Sequence, residues 1–119
     1  MIAPQDEAID LIHCLGFIYL RHGQPYRAVV LLIVAGEAAP ERADILRTLG
    51  LALIDAGMGD QALEVIQKLA VLAPEMAAHR LMRLMRARAL LLVGRAEAAR
   101  QCFGESQYSD GAPSGALAA

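Results

Sequence analysis

Aromatic residues are scarce in this chain, at 4% of 119 positions, and tryptophan is missing altogether. Sheet cores draw on β-branched and aromatic side chains, so a chain that is 56% hydrophobic yet this poor in aromatics points to helices. Only two cysteines occur, Cys14 and Cys102, without CxxC spacing. That excludes a disulfide framework and leaves them the ordinary place of free cysteine, as small apolar residues inside helix interfaces. The three histidines, His13, His22 and His79, are scattered. No Ser/His/Asp set, HExxH, phosphate-binding glycine loop or Cys/His metal spacing accompanies them. His13 and Cys14 are adjacent on a helix and point about 100° apart, so they do not converge on one ion. No enzyme activity, metal or cofactor is expected. Long apolar runs are missing too: Ala28 to Gly36 spans nine residues, against the roughly 20 that cross a bilayer. The opening run Met1-Ile2-Ala3-Pro4-Gln5-Asp6-Glu7 is acidic and has neither the basic nor the apolar region of a secretory signal. A cytoplasmic protein without a membrane span is expected.

What is present is a repeat. Leu15-Gly16, Tyr19, Gly23, Ala28, Leu32 and Pro40 recur 34 residues later as Leu49-Gly50, Leu53, Gly57, Ala62, Ile66 and Pro74. A third copy is offset by 37: Gly94 and Ala99 answer Gly57 and Ala62, Ala87 replaces the Gly and Leu90 the aromatic, while Arg83 and Arg86 fall where the earlier copies are apolar. The three extra residues lie between Pro74 and Gly94 and lengthen that helix by nearly one turn. Apolar periodicity and breakers place six helices near 6–22, 25–37, 41–56, 60–72, 75–93 and 95–105. Gly23, Gly57 and Gly94 suit the left-handed residue that closes a helix, and Pro25 suits the first turn of the next. Gly16 and Gly50 lie mid-helix, where Gly costs about 1 kcal/mol relative to Ala. Close approach of the paired helix, with Ala28 and Ala62 facing the two glycines, offsets that cost.

The period, the early Leu-Gly, the small residue mid-repeat and the late Pro resemble the tetratricopeptide repeat (TPR), with Ile12 and Leu46 standing where a TPR often opens on Trp. The implied fold is all-α: about three helix-turn-helix repeats, near 9–42, 43–76 and 77–108, in a short right-handed solenoid with a concave groove. Residues 1–108 form the helical domain. Residues 109–119 close a Gly/Ser/Ala-rich stretch and are expected to be a disordered tail. No capping helix follows the last repeat, so its apolar face calls for a partner or a second copy. A mean hydropathy of +0.40 points the same way, because small domains bury a modest share of their surface.

In TPR arrays the first helix of each pair lines the groove. That register selects His13, Phe17 and Leu20, then Arg47, Leu51 and Ile54, then Leu84, Arg88 and Leu91, a largely apolar floor with basic residues on it. Such a floor suits a protein client with apolar or amphipathic helices, and the alternative for residues such as Phe17 and Leu51 is packing between helices. Clamps for a C-terminal carboxylate use Lys and Asn at groove positions, whereas His13, Phe17, Thr48, Leu81 and Met85 stand there in this chain. Arg80, Arg83 and Arg86 form a slanting stripe that either pairs acidic groups of a client or is solvated. The net charge of −2 and the lack of interleaved aromatics argue against nucleic acid.

A short, apolar, free-standing set of TPRs resembles the class II chaperones of bacterial type III secretion. The run Leu15-Gly16-Phe17-Ile18-Tyr19-Leu20-Arg21-His22-Gly23-Gln24-Pro25-Tyr26-Arg27-Ala28-Val29-Val30-Leu31-Leu32 is most similar to the YscY-type members. That resemblance implies a cytoplasmic, virulence-linked chaperone for an early secretion substrate of the YscX type, with the export gate as a further contact. The other reading is a self-associating scaffold, homo-oligomeric when no client is bound.

Overall fold

The computed structural model describes residues 4–109, with side chains from 5 to 104. Among them there are seven helices and no strand: α1 (Pro4–Arg21), α2 (Pro25–Ala38), α3 (Ala43–Asp55), α4 (Gly59–Leu72), α5 (Pro74–Ala77), α6 (Arg80–Leu92) and α7 (Ala96–Ser109). Contacts run in sequence, α1 on α2, α2 on α3, α3 on α4, α4 on α6 and α6 on α7, and the molecule is elongated, 56 × 32 × 24 Å. Hairpins α1–α2, α3–α4 and α6–α7 therefore stack as a solenoid in which each pair touches only its neighbours. The expected tail at 109–119 begins on a residue that is still helical, Ser109, and its remainder lies outside the described residues.

The three hairpin turns agree bond for bond. Gly23, Gly57 and Gly94 have φ of 75°, 77° and 81°. The amide of the next residue reaches back to the same carbonyl in each copy, Gln24 to Tyr19 (2.9 Å), Met58 to Leu53 (2.8 Å) and Arg95 to Leu90 (2.9 Å). Each Gly amide bonds one residue further on, to Leu20, Ile54 and Leu91. This is the Schellman closure, which satisfies carbonyls orphaned at the helix end and needs a left-handed residue at its centre. The carbonyl of Gln24, Met58 or Arg95 then accepts from Ala28, Ala62 or Ala99, so the second helix starts within one residue of the turn.

The expected long fifth helix is two helices. The three extra residues are taken up around α5, a four-residue turn begun by Pro74, and the chain then breaks at His79, whose backbone is extended (ψ 146°). The His79 imidazole accepts the Leu81 amide at 3.2 Å, which caps a new helix instead of prolonging the old one. As a result α6 keeps the register of α3, with Met82 buried where Ile45 is.

Leu32, Ile45 and Leu69 are fully enclosed side chains of the core, each worth about 1.5–3 kcal/mol by area removed from water. Gly16 and Gly50 lie at close helix contacts, but their neighbours are not the expected alanines. A Cβ on Gly16 would stand 2.8 Å from Leu32 Cγ, and one on Gly50 would meet Met85 Cε at 3.1 Å and Val65 Cγ1 at 3.8 Å. Helical Cβ atoms tilt toward the N-terminus, which moves the meeting point about a turn along the antiparallel partner, from Ala28 to Leu32 and from Ala62 to Val65. Gly59, which the repeat pattern does not mark, is as tight: its Cβ would lie 2.8 Å from both Leu92 Cβ and Val93 Cγ1 and 3.1 Å from the Ala89 carbonyl. Cys14 is exposed rather than packed between helices, and Cys102 is half-buried beside Ala87, Leu90 and Ala99.

Gly59→Ala should lower stability in urea by about 1–3 kcal/mol, because a backbone oxygen and two short side chains have no room to yield. Gly50→Ala should change it by less than about 1 kcal/mol. There only the flexible end of Met85 must move, and helix propensity favours Ala.

A candidate protein-binding groove

Helices α1, α3 and α6 lie side by side as the first members of their hairpins. Between them is an open hollow of about 640 Å³. Phe17 enters it from α1, Arg47, Thr48 and Leu51 from α3, and Leu81, Leu84, Met85 and Arg88 from α6. Its end wall is built by Glu75, Met76 and His79, so the inserted residues of the third copy shape the groove. Thr48, Glu75, Met76, His79, Leu81, Met82 and Met85 are the lining residues that the repeat register did not select as binding residues. A second hollow of about 430 Å³ shares Leu84 and Arg88 and runs on to Leu91 and Phe103.

Five of the expected residues, Phe17, Arg47, Leu51, Leu84 and Arg88, thus come together, and Leu91 lies in the continuation. Phe17 is exposed, while Leu51 is half-buried and rests on the core beneath the floor. Leu20 is half-buried against the core, and Ile54 is 4% exposed and belongs to it outright. The correction at Ile54 is rotational. Three residues past Leu51 turn the helix by about 300°, which carries the side chain off the groove and into the core.

His13 is also drawn inward. Its Nε2 lies 2.9 Å from the Thr48 hydroxyl and its Nδ1 3.8 Å from Asp44, tying α1 to α3. Thr48 in turn donates to the Asp44 carbonyl at 3.1 Å, so this buried hydroxyl is satisfied by both neighbours. Beside it Arg42 bridges Asp10 of α1 and Asp44 of α3. The Arg42 guanidinium holds the Asp44 carboxyl below the usual aspartate range against the opposing effect of burial, with the Ile45 amide also helping. Arg42 is itself pushed up by bonds to Asp44 and Asp10.

The Arg stripe separates from the groove. Arg83 and Arg86 point into a different hollow, of about 480 Å³, with Arg95 and Cys102 between α4, α6 and α7. The same notch one repeat earlier is lined by Leu46 and Leu49, the residues that Arg83 and Arg86 replace. This notch is open to solvent, which is why the third copy tolerates charge at positions that are apolar before it. Arg80 opens α6 and is exposed. Arg88 is the arginine of α6 that lines the groove, paired at 3.0 Å with Asp55 of α3.

No family model and no curated protein matches the sequence. Among solved structures, MamA of AMB-1 in its P212121 crystals superposes with a TM-score of 0.75 at 26% identity, over 86% of this chain and 59% of that one. MamA of MSR-1 in its C2 crystals gives 0.73 at 25% identity, over 86% and 57%. The fold is a TPR-type helical repeat. The chain spans less than two thirds of the MamA chains it matches. Among the described residues no cluster of three or more His, Cys, Asp or Glu is arranged to hold a metal, and no helix is long and apolar enough to cross a membrane.

Asp44→Asn should cost about 1 kcal/mol or less at neutral pH, since the pair with Arg42 is half exposed. Asp44 has its pKa lowered by folding, so its contribution is fully present above the ordinary aspartate value and is lost as the pH falls through the depressed one. The gap in urea midpoint between wild type and Asp44→Asn should therefore be constant at neutral pH and close in acid.

Proposed function

We propose that this chain is a protein-binding module whose groove takes an apolar or amphipathic helix of a client. The observation that carries this reading is the open hollow between α1, α3 and α6, apolar on its floor at Phe17, Leu51, Leu81 and Leu84 and basic at its edge at Arg47 and Arg88. A helix with an apolar stripe fills such a trough, and acidic residues beside the stripe meet the two arginines. Binding is passive: apolar surface of the client is removed from water, which keeps it from aggregating, and no catalytic group is asked to act.

The resemblance of the run Leu15 to Leu32 to YscY-type chaperones extends the reading to a cytoplasmic type III secretion chaperone, with a YscX-type early substrate as client and the export gate as a second contact. The TPR-type fold supports the coarse part of this reading, protein binding by a helical repeat. The client rests on the sequence resemblance alone. Arg80 and Arg83, set apart from the groove, act in this reading only as a separate contact for acidic segments.

The test is co-expression with a YscX-type protein and affinity measurement on the purified pair. Phe17→Glu and Leu81→Glu place a charge in the trough from exposed positions. Each should weaken binding by at least about tenfold while helical circular dichroism is unchanged. Wild-type affinity in both variants would refute the groove. Failure of the YscX-type protein to co-purify would refute the secretion assignment.

A further inference from the structure

The repeat register gives the exposed apolar residues at the two ends a meaning. Leu11, Leu15 and Ile18 of α1 are 62%, 40% and 50% exposed, whereas their counterparts one repeat on, Ile45, Leu49 and Ala52, are at most 7% exposed. In the third copy Met82 and Ala89 answer Ile45 and Ala52 and are buried again, while Arg86, which answers Leu49, is exposed, so the positions of Leu11 and Ile18 are the ones a hairpin in front covers in both later copies. The difference is the hairpin in front: Ile45 clusters with Ala35 of α2 and Ala39 just past its end, and Met82 and Ala89 belong to the cluster that includes Leu69 of α4 and Ala73 just past its end. Helix α1 thus presents the face that a preceding hairpin covers, with no such hairpin among the described residues.

The opposite end shows the complementary face. Leu91 and Phe103 are 60% and 48% exposed, and their counterparts Ile54 and Ile66 are both under 7%. They line the hollow of about 430 Å³ between α6 and α7. Charge follows the same polarity. Residues 4–38 carry four acids (Asp6, Glu7, Asp10, Glu37) and two arginines, and the α6–α7 hairpin carries six arginines against Glu97 and Glu105, with Arg88 and Arg100 lining the hollow itself.

We propose that copies of this chain stack head to tail, the α6–α7 hairpin of one seated on α1 of the next as α2 seats on α3. The occupant is a second copy because that copy supplies the two properties the face selects, a hairpin in the same repeat geometry and a basic end for an acidic one. The contact joins two different surfaces, so each addition leaves both ends open and growth continues. Charge complementarity makes the association weaken with salt.

Sedimentation velocity over a concentration series tests this on the full chain. Wild type should grow with concentration and shrink with added salt. Ile18→Asp at the head, whose counterparts Ala52 and Ala89 are both fully buried, and Phe103→Asp at the tail should each remain monomeric, with self-affinity reduced at least about tenfold. Mixed together, these two variants should form a dimer and nothing larger, because one retains an intact tail and the other an intact head. Leu11→Asp and Leu91→Asp repeat the test on the same faces should a first variant lose its helical signal. A wild type that is monomeric throughout would overturn the proposal, as would variants that assemble like wild type or a mixture that shows no dimer. Leu81→Glu, in the groove, should leave self-association unchanged, which separates this contact from client binding.

Discussion

The left-handed glycine turn is the constraint from which the architecture follows. At Gly23, Gly57 and Gly94 the same two backward hydrogen bonds close the first helix, and the same carbonyl opens the second. A turn closed this tightly leaves the hairpin no freedom to slide, so the small residues Ala28, Ala62 and Ala99 are all buried at one register. Because each reversal is identical, the first helices α1, α3 and α6 gather on one side of the stack. The trough between them is therefore a consequence of turn chemistry before any side chain lines it. Any L residue with a Cβ at those positions pays for a positive φ, although nothing lies within 4 Å of the missing Cβ.

The third copy shows how much variation the stack absorbs. Three residues are added, yet α6 keeps the length and register of α3, since the addition is spent in the one-turn α5 and the chain restarts at the His79 cap. The insertion lands at the end of the groove and gives it a wall with Met76 and His79. Arg83, half-buried, and Arg86, exposed, stand in the third copy where Leu46 and Leu49 are buried in the second. Long arginine stems cover apolar wall there while the guanidinium stays wet. Both departures leave the tightly closed turns untouched.

Much of this was legible because glycine, proline and small-residue spacing speaks directly about backbone geometry. The turns, the hairpin order and five of the nine groove positions follow from the 34-residue register and its 37-residue offset in the third copy. Where that register misled, the cause was side-chain direction, which spacing does not carry. Ile54 shares a helix with Leu51 but turns into the core, Leu32 rather than Ala28 meets Gly16, and exposed Cys14 lies on the uncovered side of α1. Gly59 was silent for a different reason. Its counterparts are Pro25 and Ala96, so the repeat shows no small-residue rule there, and its tight contact comes from the end of α6, across the hairpin boundary. The break at His79 left only the three-residue excess as its trace, and that excess does not say whether a helix lengthens or splits.

In a stacked array the interior hairpin is covered on both sides, and terminal hairpins gain only one interface each. With three hairpins among the described residues, the middle one lies between two neighbours, and α3 and α4 supply about half of the main core cluster, which α2 and α6 complete from either side. The outer helices α1 and α7 then carry apolar surface that the stack itself leaves in water, Leu11, Leu15 and Ile18 at one end and Phe103 at the other. The high mean hydropathy is thus the arithmetic of a short solenoid rather than of a large core: the composition is that of a longer array, and the number of internal interfaces is small. Each face that meets a partner adds an interface of the kind that already holds α2 to α3. Stability of such a chain is accordingly coupled to association at its ends, because whatever binds the folded hairpins and not the unfolded chain shifts the folding equilibrium with it.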